Sequence, residues 1–118
     1  METKEAIRQI ALSLPGVAES VSYGTPSFKL KDKMLARLHE DGQCLVLKMD
    51  VETRDFFLQA NPETYYITDH YRGYPYVLVR LAGVDLDELR SHFRKLWTEH
   101  APKKLLRQFS SDGESNGA

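Results

Sequence analysis

The side chains best suited to chemistry in this chain of 118 residues lie in a short polar and aromatic segment, residues 69–74. Arg72 offers a planar fork for a carboxylate or phosphate, His70 offers an imidazole ring, and tyrosine hydroxyls donate hydrogen bonds. These types predict a site for a small anionic ligand, with the lining residues Tyr23, Thr25, His70, Tyr71, Arg72 and Tyr74. The alternative is a rigid loop whose polar groups satisfy buried backbone.

A second group of side chains is basic and is interleaved with tyrosines. Such residues contact phosphates and stack on unpaired bases in nucleic-acid-binding proteins. The residues that we expect to bind nucleic acid are Lys29, Lys31, Lys33, Arg72, Arg80, Lys103 and Lys104. The alternative is that the hairpin lysines only prevent edge-to-edge pairing of the sheet. A net charge of −1 argues against a strongly basic binder and leaves a local patch as the interpretation.

Neither a catalytic centre nor a metal site is indicated by the sequence. Cys44 is the single cysteine and lies in an apolar run, so we expect a buried small hydrophobe and no nucleophile. The four histidines lack metal-ligand spacing, and one cysteine cannot build a zinc site. Phosphate loops, dinucleotide fingerprints and nucleophile elbows are missing. We therefore predict a protein that is not an enzyme, with no catalytic residue, metal ligand or cofactor.

The element that must position the polar segment is the strand predicted directly after it, at residues 76–81. Successive side chains of a strand point to opposite faces. Val77, Val79 and Leu81 therefore face the core, whereas Tyr76 and Arg80 lie on the opposite face. We expect any site to lie beside this strand.

Periodicity and turn signals place the remaining elements around it. Helices are predicted at residues 3–14, at 51–60 after the N-cap Asp50, after the N-cap Asp85, and at 102–109. Strands are predicted at residues 17–23, 27–30, 34–39, 44–49 and 65–67, with a turn at 24–26 and a hairpin turn at Asp41-Gly42. Residues 27–49 should form an antiparallel meander. The fold class is therefore α+β.

Length and composition predict one domain and no membrane segment. Residues 1–109 are expected to form a single compact domain, and the polar residues 110–118 a disordered tail. An apolar leader is missing at the N-terminus, and no apolar run approaches the roughly 20 residues that cross a bilayer. We expect a cytoplasmic monomer.

Five short motifs occur in an order that resembles the MmcQ/YjbR family of small bacterial proteins. They are Leu14-Pro15-Gly16, Tyr23-Gly24-Thr25-Pro26-Ser27-Phe28, Lys33-Met34, His70-Tyr71-Arg72-Gly73-Tyr74-Pro75-Tyr76-Val77 and Ala101-Pro102-Lys103-Lys104-Leu105. The resemblance covers roughly residues 4–107. It implies a twisted antiparallel sheet with an N-terminal helix and C-terminal helices packed on it.

The resemblance also implies similarity to "double wing" DNA-binding domains, in which β-hairpins act as wings. It brings no established catalytic residues. The function expected from it is non-enzymatic DNA binding through phosphate contacts. The alternative is a module that binds a small anion or a protein partner through residues 70–76.

Overall fold

The computed structural model describes residues 3–107, in which one helix precedes four successive strands and two further helices flank a final pair of strands. Within that range the elements are α1 (Thr3–Leu12), β1 (Val17–Ser22), β2 (Thr25–Leu30), β3 (Lys33–Leu38), β4 (Cys44–Lys48), α2 (Val51–Ala60), β5 (Tyr65–Tyr66), β6 (Tyr76–Arg80) and α3 (Leu86–His100). Short 3₁₀ turns cover Asp69–Tyr71 and Leu81–Gly83, and residues 103–107 are helical. The predicted tail at 110–118 and the end of the predicted last helix lie outside the described residues.

The strands form a six-stranded antiparallel sheet in the order β1-β2-β3-β4-β6-β5. Strands β2, β3 and β4 are consecutive neighbours, so the predicted meander is confirmed. Strand β6 then pairs with β4, which places the end of the chain's polar segment in the middle of the sheet. The fold class is α+β, as the sequence predicts.

The helices cover one face of this sheet, which we call the helix face. Here the strand rows that contain Leu45, Leu47, Val77 and Val79 pack against the apolar sides of α1 and α3. Trp97 of α3 is almost fully buried and donates a hydrogen bond from Nε1 to the carbonyl oxygen of Pro15, 2.6 Å away. This contact ties α3 to the end of the N-terminal helix.

The opposite face, which we call the tyrosine face, carries a second and smaller apolar cluster. Val46 and Leu78 are directly opposite each other in the register of β4 and β6, and both are buried. Tyr66, Tyr71 and Tyr76 pack over this cluster. Because both faces of the central strands are covered, β4 and β6 are nearly continuous in apolar residues.

Local signals explain most element boundaries. Asp50 accepts a hydrogen bond from the backbone N–H of Thr53 at 3.0 Å, and Asp85 accepts from Asp87 and Glu88, so both predicted N-caps are confirmed. Helix α1 ends two residues before the predicted position. The predicted turn at residues 24–26 is wrong: Tyr23 and Gly24 form the turn, and β2 begins with Thr25.

Candidate functional site

A cleft of about 650 Å³ opens on the tyrosine face. Its floor is built by β3, β4 and β6, and one wall is built by the segment between β5 and β6. The side chains that line it are Tyr23, Met34, Arg37, His39, Glu40, Val46, Thr68, His70, Tyr71, Tyr74 and Tyr76. We refer to it as the sheet cleft. Aromatic rings and a few polar groups around a concave space are typical of small-molecule sites.

Arg37 is the buried cation of the sheet cleft. It is directly opposite Val46 in the register of β3 and β4, and its side chain is only 7% exposed. Its Nη2 donates to the hydroxyl of Tyr71 at 3.1 Å, its Nη1 pairs with the carboxylate of Glu40, and its Cζ lies 4.8 Å from the centre of the Tyr23 ring. One guanidinium thus joins a hairpin tip, the β3–β4 turn and the polar segment.

The charges of this pair are mutually stabilised. Burial lowers the pKa of Arg37, but the hydrogen bond to Glu40 and the neighbouring Tyr71 outweigh that cost and raise it overall. The same hydrogen bond lowers the pKa of the Glu40 carboxyl. Arg37 and Glu40 are therefore both ionised at neutral pH, one buried and the other largely exposed to water.

Rings from the polar segment form the wall of the cleft. His70 packs edge-to-face on Tyr71 with 4.8 Å between ring centres, and Tyr71 stands 6.3 Å from Tyr76 at 67°. Tyr74 is 57% exposed, and the Nζ of Lys48 lies 5.2 Å from the centre of the Tyr76 ring. Burial raises the pKa of Tyr76. Tyr76 therefore presents a neutral ring and hydroxyl group to a ligand.

The polar segment is held in place by Arg54, which belongs to α2 and is 5% exposed. Its Nη1 donates to the carbonyl oxygen of Tyr74 at 2.8 Å and to that of Tyr71 at 3.4 Å. Its Nη2 reaches the carbonyl oxygen of Arg72 at 3.5 Å. The backbone N–H of Met49 also donates to Pro75 at 2.8 Å. The wall is therefore positioned by a helix and a strand end that lie outside the cleft.

Four of the six predicted ligand-binding residues meet in the sheet cleft: Tyr23, His70, Tyr71 and Tyr74. The motifs around residues 23–28 and 70–76 therefore share one site. Thr25 is not part of the lining, and its hydroxyl donates to the carbonyl oxygen of Ser22 at 2.9 Å to close the hairpin turn. Arg72 also lies outside the lining, and its guanidinium pairs with Asp69 at 2.8 Å on the exposed surface.

The predicted basic residues do not form one surface. Lys29 is opposite Met34 on the tyrosine face, whereas Lys33 is opposite the buried Leu30 and therefore belongs to the helix face. Lys31 occupies the turn between them with a φ of +56°. The hairpin lysines therefore do not share one face, because the turn and a bulge in β2–β3 break the regular alternation.

The other predicted basic residues are equally scattered. Arg80 stacks 4.0 Å above the Tyr66 ring and donates to the carbonyl oxygens of Pro62 and Glu63, so its guanidinium holds a loop. Residues 103–107 follow α3, and Leu105 and Leu106 pack against the core of the helix face. Lys103 and Lys104 are exposed at that end, away from the tyrosine face.

Sequence reasoning missed Arg37 and Glu40, the charged pair of the cleft. A signal was present, since an arginine interrupts the apolar run of β3 and thereby marks a polar position on one face of a central strand. The partner of that arginine could not be predicted, because Tyr71 is 34 residues away in the chain.

Two further polar clusters lie outside the cleft. Burial raises the pKa of the Cys44 thiol, which hydrogen-bonds the Tyr66 hydroxyl at 2.8 Å, so this cysteine is a packed and unreactive group. On the helix face, the Tyr65 hydroxyl donates to Glu88 and lies 2.8 Å from Nε2 of His92. Since the tyrosine proton goes to Glu88, Nε2 of His92 must carry the proton that Tyr65 accepts.

Comparison with known proteins identifies the class to which this fold and cleft belong. The YjbR family model matches residues 12–98, which is most of the chain. The protein therefore belongs to the YjbR family, as the ordered motifs predict. The crystal structure of Deinococcus radiodurans protein DR2400, with a DUF419 domain, is similar at a TM-score of 0.70 and 26% identity, over 89% of this chain and 88% of that chain.

Curated relatives match over a shorter region. The uncharacterised proteins Rv2570 of Mycobacterium tuberculosis and Mb2600 of Mycobacterium bovis are each 36% identical over 69 residues, which is 58% of this chain and 54% of theirs. The chain thus spans about half the length of the curated relatives it matches.

Membrane-spanning helices and metal clusters are both missing from residues 3–107. Every helix in this range is too short or too polar to span a bilayer. The same range contains no group of three or more histidine, cysteine, aspartate or glutamate side chains that could hold a metal ion.

Proposed function

We propose that this protein is a non-enzymatic binding protein whose ligand is a small molecule with a planar ring and an anionic group, held in the sheet cleft. The observation that carries this proposal is the convergence of four tyrosines and the buried Arg37 around one cleft. This proposal corresponds to the alternative prediction from the sequence, a binding module centred on residues 70–76. The structure adds Arg37 of β3 as its cation.

The ring of the ligand would be held by stacking. Tyr74 and Tyr23 are the most exposed aromatic side chains of the cleft, at 57% and 81%, and His70 lies beside Tyr74 with 6.4 Å between ring centres. An aromatic ligand that covers these rings removes their apolar surface from water and gains offset or edge-to-face contacts. The cleft therefore favours a flat ligand over a compact aliphatic one.

The charge of the ligand follows from the cations on this face. Arg37 lies on the floor, and Lys29 and Lys48 occur on neighbouring strands of the same face. Arginine recognises carboxylates and phosphates with its planar fork. Among the described residues, Glu40 is the one carboxylate in the lining, and it pairs with Arg37.

Tyr74→Ala tests this proposal by isothermal titration calorimetry with naphthoate and adenosine monophosphate, which join a flat ring to an anion. Loss of one stacked ring should weaken binding by about tenfold. Phe56→Ala is the matched control, because Phe56 is 64% exposed but lies on α2 outside the cleft. If neither compound binds the unaltered protein at millimolar concentration, or if both variants bind alike, the proposal is wrong.

DNA is the second candidate, favoured by Lys48, whose Nζ lies 5.2 Å from the centre of the Tyr76 ring, and by Lys29, which is opposite the cleft residue Met34. A single strand could place one unpaired base on the tyrosines and its neighbouring phosphates on these lysines. Fluorescence anisotropy of labelled single- and double-stranded DNA tests it. Preference for the single strand and competition by adenosine monophosphate would support this mode, whereas equal binding of the duplex without competition would contradict it.

A further inference from the structure

The ion pair in the sheet cleft is strongly asymmetric. The Arg37 side chain is 7% exposed, whereas the Glu40 side chain is 55% exposed. A buried cation needs a partner, because an uncompensated charge in a desolvated position is strongly destabilising. The exposed carboxylate of the same ion pair loses little free energy when water replaces its contact with the cation.

The two partners also differ in how firmly the fold holds them. Arg37 is in the middle of β3, paired with Ser27 on one side and Val46 on the other, and Tyr71 accepts from its Nη2. Glu40 belongs to the turn between β3 and β4. The cation is therefore a fixed part of the cleft, and its anion is a side chain that needs only a rotamer change to leave.

From this asymmetry we infer that Glu40 occupies, in the free protein, the place of the anionic group of the ligand. Binding is then an exchange: Glu40 rotates into water, and a carboxylate or phosphate of the ligand takes its position on Arg37. This inference rests on the proposed function and narrows the ligand to one whose anionic group reaches Arg37 while its ring contacts the tyrosines of the cleft, since the guanidinium lies 4.8 Å from the centre of the Tyr23 ring.

Replacement of Glu40 by the ligand predicts a result that direct attraction to an unpaired Arg37 does not. In the unaltered protein the anionic group of the ligand replaces the Glu40 carboxylate, so this group adds little to the affinity. Ring stacking then supplies most of the affinity. Without the Glu40 carboxylate, the buried cation has no anionic side-chain partner among residues 3–107 until the ligand arrives. The anionic group should then contribute much more to affinity, whereas a neutral ring should gain nothing.

The experiment measures the affinity of two matched pairs of compounds by calorimetry: naphthoate with naphthamide, and adenosine monophosphate with adenosine. The proteins are the unaltered chain, Glu40→Gln, Glu40→Ala and the control Asp69→Asn. Asp69 is an exposed acid next to His70 that pairs with Arg72 and does not contact Arg37, so its substitution changes net charge equally. Circular dichroism verifies that each variant is folded.

We expect both Glu40 variants to bind the anionic compounds at least about fivefold more tightly and the neutral compounds unchanged, with less than about a twofold effect of Asp69→Asn. Unchanged or weaker anion binding in both Glu40 variants, with Tyr74→Ala still weakening it, would overturn the exchange and leave the proposed function in place. An equal gain in Asp69→Asn would also overturn it, since net charge would then be the cause. If no protein binds any of the four compounds, the proposed function itself is wrong.

Discussion

Arg54 illustrates how a single residue outside the cleft positions the residues inside it. Its guanidinium donates to three backbone carbonyl oxygens of the segment that carries Tyr71 and Tyr74. Within the described residues its Nε makes no hydrogen bond and lies 3.6 Å from the carboxylate of Asp55. This α2 side chain therefore fixes the position of the segment through hydrogen bonds, and the shape of the cleft depends on it.

Arg54→Leu should lower the free energy of unfolding by about 2–4 kcal/mol, because three part-buried backbone carbonyl oxygens lose their donor. It should also weaken naphthoate binding, since Tyr71 and Tyr74 lose their fixed positions. Urea unfolding and calorimetry measure the two effects. Arg72→Leu is the control, because the Arg72 side chain is 70% exposed and its pair with Asp69 should contribute under about 1 kcal/mol. An equal loss of unfolding free energy in both variants would contradict this positioning role of Arg54.

His92 provides a prediction about pH at the same scale. Burial first, and then the nearby Lys95, lowers the pKa of His92, while Glu88 opposes this shift. A histidine with a lowered pKa in the folded state stays neutral while the unfolded chain takes up a proton. Stability due to this group is therefore present above the unfolded pKa of about 6.5 and is lost as the pH falls below it.

We expect the free energy of unfolding to decrease between about pH 7.5 and 5.5, and to decrease less in His92→Gln, in which the amide can still donate to Tyr65. The pKa of His100 is also lowered, by burial and then by Lys33 and Lys48, so His92→Gln/His100→Gln should show the smallest change. Urea titrations at the two pH values measure the difference. The same decrease in all three proteins would exclude these histidines as its source.

At the scale of elements, the β1–β2 hairpin joins a strained turn to the cleft. Both turn residues have positive φ, +54° for Tyr23 and +78° for Gly24, as a two-residue type I′ turn requires. Asparagine followed by glycine suits this turn, whereas a tyrosine in the left-handed region is strained. The hairpin thus keeps a bulky ring at a position where backbone preference disfavours it, and that ring lines the sheet cleft.

Tyr23→Asn should therefore raise the free energy of unfolding by about 1 kcal/mol while it weakens binding of naphthoate. Thermal and urea unfolding, together with calorimetry, measure these opposite changes. Gly24→Ala is the reference for strain: a Cβ at Gly24 would meet nothing within 4 Å, so its expected cost of about 1 kcal/mol comes from the backbone alone. A Tyr23→Asn protein that loses stability without losing affinity would contradict this account.

At the scale of the whole molecule, the fold separates basic residues that are close in the sequence. Lys29 and Lys33 are four positions apart, yet they lie on opposite faces of the sheet. Lys103 and Lys104 extend beyond α3, and Arg80 holds a loop. Phosphate contact by all seven predicted residues at once is therefore incompatible with the structure. The two lysines of the tyrosine face are Lys29, which was predicted, and Lys48, which was not.

If single-stranded DNA binds at the cleft, log affinity should fall with log salt at a slope of about −1.4, as for two phosphate contacts, and not about −5 as for seven. Lys29→Glu should weaken binding and flatten this slope. Lys33→Glu makes the same charge change on the other face and should leave both unchanged. Anisotropy titrations at several salt concentrations measure these values, and equal effects of the two variants would contradict binding on the tyrosine face.

Features that depend on residues close together in the chain could be predicted from the sequence, whereas contacts between distant residues could not. Helix α2 has its predicted bounds because Asp50 caps its own first turn, and the alternation in β6 correctly assigns Val77 and Val79 to the core. The meander was predictable because its strands are neighbours in the chain. The position of the turn between β1 and β2 was predicted wrongly. Tyr23 has a positive φ that its local preference disfavours, and tertiary contacts hold it there.

The amino-acid sequence by itself determined the α+β class, the YjbR family and a segment rich in site-forming side chains, because periodicity, caps and ordered motifs are local properties. Tertiary structure alone decided which of those side chains meet. Strand register places Arg37 in contact with Tyr71, and Arg54 of α2 holds the wall of the cleft through hydrogen bonds. The turn between β2 and β3 places the hairpin lysines on different faces. The reason is physical: contacts between residues distant in the chain depend on pairing and packing, and a single sequence shows neither directly.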